Sequence, residues 1–187
     1  MKHQRLRNLI FLALCCDLGL FSKRLVAPLA NILTDSLHIP GGIGTSFSLM
    51  FLVVAAMLAP RFGCAAVMGA VQSVLALSMG MSGSMGVLAP IGYIVPGIVI
   101  DCVVFAGRRL RADSVVVMAA ANILSAAAAS LTANVIAFHL RGVPLLLYVA
   151  VALTSGAVCG LLADLLSARL RPVIRFVTND REREIKA

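Results

Sequence analysis

Charge is what this chain has least of. Only 13% of its 187 residues are Asp, Glu, Lys or Arg, against roughly 25% in an average soluble domain. Tryptophan is absent, tyrosine occurs twice, and aromatic residues make up 5%. Lysine is also scarce, and no GxxxxGK[ST] is present, which excludes nucleotide binding by a P-loop. Neither HExxH nor GxSxG occurs, so no zinc-protease or serine-hydrolase chemistry is expected. The five cysteines lack CxxC spacing, and they read as reduced small packing residues with no metal or other cofactor attached. Met79, Met81 and Met85 offer thioethers to a soft metal, but no Cys or His lies near them in sequence to complete a set.

What the chain has in abundance is apolar surface. Hydrophobic residues make up 60% of it and its mean hydropathy is +1.00. Residues 36–60, 62–100, 114–140 and 142–163 contain no charged side chain. A membrane-crossing helix takes about 20 mainly apolar residues, so the 62–100 run is too long for one span. Its glycine-rich centre, Met79–Gly86, supplies a turn. The fold class expected is therefore all-α: a polytopic membrane protein forming a compact bundle of six transmembrane helices. The spans fall near 8–33, 45–60, 63–80, 86–107, 114–140 and 144–169, within a transmembrane domain of residues 1–171. The first is the least regular, since Lys23 and Arg24 interrupt it and Pro28 follows, which predicts a kink or a break into a span and a re-entrant piece. Residues 172–187 form a charged cytoplasmic tail.

Basic residues gather on cytoplasmic loops. With the N-terminus inside, 13 of the 16 Lys and Arg residues fall on the inner side, and only Lys23, Arg24 and Arg141 lie outward. Both termini are thus expected in the cytoplasm of a cell-membrane, multi-pass protein. The formal net charge of +8 follows from this topology, with a lipid bilayer as the partner and no nucleic acid. Lys2–Arg7 followed by Leu9–Cys16 mimics the start of a signal peptide, but no small-residue cleavage site follows, so the segment is read as the first helix.

Small residues let helices approach closely in lipid. Gly156-xxx-Gly160, Ala66-xxx-Ala70 and Ala55-xxx-Ala59 are such pairs, and packing within the bundle is their simplest use. Polar side chains inside a membrane are costly and therefore candidates for function. Asp101 is the sharpest, with a structural role beside Arg108 as the competing reading. Asp164 near the inner end of the last span pairs most simply with Arg169, and the roles of Asp17, Lys23 and Arg24 stay open. Nearer the outside, Tyr93, Asn134, His139 and Tyr148 lie at similar depth, with Gln72 and Asn122 deeper. Together these six are the candidate substrate-binding residues, amides and phenols orienting a solute and rings stacking on it. Taken singly, the tyrosines equally suit interface anchors, and His38 and His139 suit loops.

Three features then resemble a known family. They are the turn Ile39-Pro40-Gly41-Gly42, the connection Leu58-Ala59-Pro60-Arg61-Phe62-Gly63, and the helix from Gly92 through Pro96-Gly97 to Asp101. With six helices in under 200 residues, they resemble the substrate-binding (S) component of energy-coupling factor vitamin transporters. Ile91–Val104 and Leu153–Leu166 look most similar to the YkoE group, linked to thiamine and hydroxymethylpyrimidine. The resemblance implies capture of a vitamin-like solute from outside. It also implies partners on other chains: a transmembrane coupling subunit and two ATPases. In that family an Ala-xxx-Ala pair on the first helix docks on the coupling subunit, and here Cys15-xxx-Gly19 stands nearest to it. A membrane assembly subunit without a ligand is the alternative, and a membrane-embedded enzyme using Asp101 and Asp164 is a third.

Overall fold

The structure is a computed structural model that describes residues 2–36, 43–58, 62–80, 86, 88–137 and 142–186. Among these residues there are six α-helices and no strand. They are α1 (Lys2–Ser36), α2 (Ile43–Leu58), α3 (Cys64–Ser78), α4 (Ala89–Leu110), α5 (Ser114–Thr132) and α6 (Val143–Lys186). A single π turn, Ala133–Ala137, extends α5.

The α2 helix organises the bundle. It packs against each of the other five, which follow around it in the order α1, α3, α4, α5, α6. Its run Leu52–Ala56 is buried on every side, as befits a helix that is apolar all round. The outer ring shows the reverse of a soluble protein's polarity. Leu14, Val67, Ile98, Leu124 and Leu161, one from each ring helix, are exposed, whereas Ser46, Ser48, Gln72, Ser73, Asp101, Asn122 and Ser125 are buried. Apolar side chains gain nothing from hiding when the surroundings are hydrocarbon, whereas polar ones do.

Among the described residues three helical stretches are long and apolar enough to cross a membrane: Ala89–Leu110, Ser114–Val135 and Val143–Leu170. Gly44–Leu58 and Cys64–Ser78 are apolar but shorter. At 1.5 Å per residue, α2 and α3 each reach about 22–24 Å, short of a hydrocarbon core of about 30 Å.

Two expectations gain detail. The first helix does not break: α1 runs without interruption through Pro28. Proline removes one backbone bond, a loss that a long helix survives. The charged segment 172–187, expected as a tail, is helical to Lys186 as a continuation of α6, through a final stretch rich in the helix formers Arg, Glu and Lys. The turns containing His38–Gly42, Pro60-Arg61, Met81, Met85 and His139 lie outside the described residues.

Close backbone approach holds the ring together. Gly69 of α3 lies against the backbone at Tyr93, and Gly97 of α4 lies against Ala65. On the far side Gly156 and Gly160 of α6 lie against Ile123 and Ala119 of α5. A methyl group at any of the four would strike the neighbouring backbone at 2.9 Å or less.

Candidate functional site

The membrane-level polar residues fall into two groups on opposite sides of α2. The first joins α1, α3 and α4. Ser48 of α2 donates to the Gly19 carbonyl at 2.7 Å, and Gln72 of α3 donates through Nε2 to the Cys16 carbonyl at 2.9 Å. Both staple α1 to its neighbours. Gly19 is what lets them meet, since a side chain there would run into Gln72 and Ser48. Cys15 and Gly19 are buried within the bundle, where the pair packs α1 against its own neighbours.

One turn further along α1, Lys23 reaches over to α4. Its Nζ lies 3.2 Å from the Tyr93 hydroxyl and 4.2 Å from the centre of the Tyr93 ring. The ammonium donates to the phenol oxygen and sits over the negative face of the ring, both favourable for a partly desolvated cation. Tyr93 stands about 6 Å along α4 from its start at Ala89. Lys23 is a candidate site residue that sequence reasoning left unassigned. Its partner lies 70 residues away, and the only sequence signal was an ammonium inside an otherwise apolar stretch.

The second group joins α2, α5 and α6. Asn122 is fully buried and donates through Nδ2 to the carbonyls of Gly156 (3.0 Å) and Ser46 (3.4 Å). Its Oδ1 has no partner. Beside it the hydroxyls of Ser46 and Ser155 lie 2.8 Å apart, a contact between helices that the sequence did not announce. Asn134 folds back on its own helix, donating to the carbonyl and hydroxyl of Ser130. Tyr148 is half-buried on α6, and His139 lies outside the described residues. Of the six predicted binding residues, then, Tyr93 meets Lys23, while Gln72 and Asn122 each bond a neighbouring helix's backbone.

Asp101 has a different task. It is 4% exposed, and its two carboxylate oxygens accept the backbone N–H groups of Ala65 (3.2 Å) and Ala66 (2.8 Å) at the start of α3. The N-cap of α3 is Gly63, in the left-handed region at φ 90°, with no side chain to cap with. Asp101 supplies the missing cap from another helix, its negative charge at the positive end of the α3 dipole. Arg108, on the same side of α4, donates to the carbonyls of Ala56 and Met57 at 2.9 Å, at the negative end of α2. The two charges clasp the ends of the α2–α3 hairpin, and both border one small cavity with Phe62 and Phe105.

A larger groove of about 530 Å³ runs between α1 and α3, lined by Leu9, Leu12, Cys16, Cys64, Val67 and Met68 among others. It is apolar and holds none of the predicted site residues. Comparison of the chain with protein-family models, curated proteins and solved structures finds no match.

Proposed function

We propose that this chain is the solute-capturing component of a multi-subunit uptake system, of the kind the S components of energy-coupling factor transporters represent. In this reading all six helices cross or enter the membrane, both termini are cytoplasmic, and the Lys23–Tyr93 end faces outward. Energy comes from a coupling subunit and two ATPases on other chains. One observation carries the proposal: polar side chains from five helices are held inside a bundle whose outer face is largely apolar. A lipid-embedded protein that keeps such groups without catalytic or nucleotide-binding motifs is suited to holding a small molecule. The α2–α3 hairpin, too short for a standard bilayer, suits a bundle in which those two helices need not reach both surfaces.

Mass spectrometry of small molecules retained after mild detergent purification is the test. A retained vitamin-like metabolite supports the proposal, and a pyrimidine would place it in the thiamine branch. A chain that retains nothing but copurifies stoichiometrically with another membrane protein supports the assembly reading instead. That second reading has its own observation: Leu14, Leu18, Phe21, Leu25 and Leu29 are exposed along one side of α1 at spacings of three or four residues, the kind of seam a partner helix would use.

A further inference from the structure

The charge of the solute follows from where this chain keeps its acids. Lys23 is half-buried against α4, and in the membrane-embedded bundle proposed above an ammonium there calls for a counter-charge or a water-filled cavity. Of the four acids whose side chains are described, Asp17, Asp101, Asp113 and Asp164, none serves it, and the other four are placed by their helices alone. Asp17 is exposed on the same helix, six residues back and so turned roughly 120° away. Asp35 is twelve residues ahead on the continuous α1, about 18 Å along its axis. Asp101 is held by the Ala65 and Ala66 amides. Asp113 precedes α5 beside the Arg108–Arg111 end, Asp164 lies at the middle of α6, about 32 Å along it from Val143, and Asp180, Glu182 and Glu184 occupy its last turns. The segments outside the described residues contain no Asp or Glu. Among the described residues the polar and ring contacts of Lys23 are with Tyr93 alone.

We propose that Lys23, seated on Tyr93, anchors the carboxylate or other anionic group of a small organic solute entering from the end of the bundle opposite Arg108–Arg111. The ammonium has three N–H donors, and Tyr93 takes one of them. Because the phenol oxygen accepts that bond, its own O–H is left to donate to the same anion. Two donors converging on one anionic group, one of them charged, make the stronger kind of hydrogen bond. Arg24, exposed next in sequence, adds positive potential at the entrance. A cationic solute such as thiamine would meet repulsion here. This inference rests on the solute-capture reading and narrows it to anions.

The chain's three lysines, Lys2, Lys23 and Lys186, make the test direct. The full-length protein in lipid nanodiscs is treated with trinitrobenzenesulfonate, and modification of each lysine is followed by peptide mass spectrometry. The small-molecule fraction of a cell extract, split on anion-exchange resin, is added beforehand. The expected result is that the anionic fraction slows modification of Lys23 about tenfold, as one charged hydrogen bond implies, while Lys2 and Lys186 are unaffected. Equal or better protection by the neutral and cationic fraction overturns the inference and leaves solute capture standing. A Lys23 that never reacts is closed to solutes, which also overturns it. Protection by neither fraction overturns it as well, and if purification also retains no metabolite, the capture reading falls with it. In the Lys23→Arg variant retention of an anionic metabolite should persist, and in Lys23→Gln it should fall about tenfold.

Discussion

Asp101 stands out in the sequence because an acid in an apolar helix needs a reason, and the structure supplies one in two backbone amides. Replacing it tests that reason. In Asp101→Asn one oxygen still accepts, but an NH₂ group now faces an N–H donor at the start of α3. The expected loss is about 1–3 kcal/mol, the cost of a buried donor left without an acceptor. It should appear as a lower midpoint for loss of the monodisperse peak on heating in detergent. Arg108→Gln should cost less, because the Arg108 side chain is more exposed and water can replace it at the α2 carbonyls. The position of Asp101 was legible from sequence but its partner was not. Gly63 leaves a helix start without a local cap, and the carboxylate that fills the gap lies on α4, 36 residues from Ala65. Lys23 was legible only as an anomaly for the same reason, since hydropathy has no term for a ring on another helix.

At the scale of the element, charge-free runs and the glycine-rich segment located α2 to α5 to within a few residues, because in this chain a long apolar run has few alternatives to helix, whereas α1 starts six residues earlier and α6 ends seventeen residues later than expected. What they could not supply was the neighbour of each helix. The small-residue pair Gly156-xxx-Gly160 was visible as a contact surface, whereas its alignment on Ile123 and Ala119 comes from the folded bundle. Gly69 and Gly97, which set the α3–α4 approach, follow no four-residue spacing because they sit on facing helices. Leucine at either position would force backbones apart. Gly69→Leu and Gly97→Leu should each destabilise by about 1–3 kcal/mol or more, the usual cost of overpacking. Val158→Leu, on the exposed face of α6, should stay within about 0.5 kcal/mol of the parent. The same heating assay ranks all three, and equal behaviour of Gly97→Leu and Val158→Leu would contradict the close approach.

For the whole molecule, the class was readable because inverted polarity is written into composition. The arrangement around α2 was not, because six apolar helices of similar character can be ordered in many ways, and interior bonds such as Ser46–Ser155 decide among them. Orientation is the property on which the functional proposal turns, and the Lys and Arg asymmetry makes a definite prediction about it. Ala112, between α4 and α5, and Met79, just past α3, lie at opposite ends of the bundle and are both exposed. A membrane-impermeant maleimide needs a thiolate in water. The native Cys15, Cys16 and Cys159 are buried and Cys102 faces outward from the apolar α4, so none of these should react quickly. On intact cells Met79→Cys should therefore label and Ala112→Cys should label only after permeabilisation. Labelling of both on intact cells would mean that α4 does not separate two compartments. The reverse pattern would turn Lys23 and Tyr93 toward the cytoplasm, where they could receive a solute only from within, and uptake would no longer describe what the bundle does.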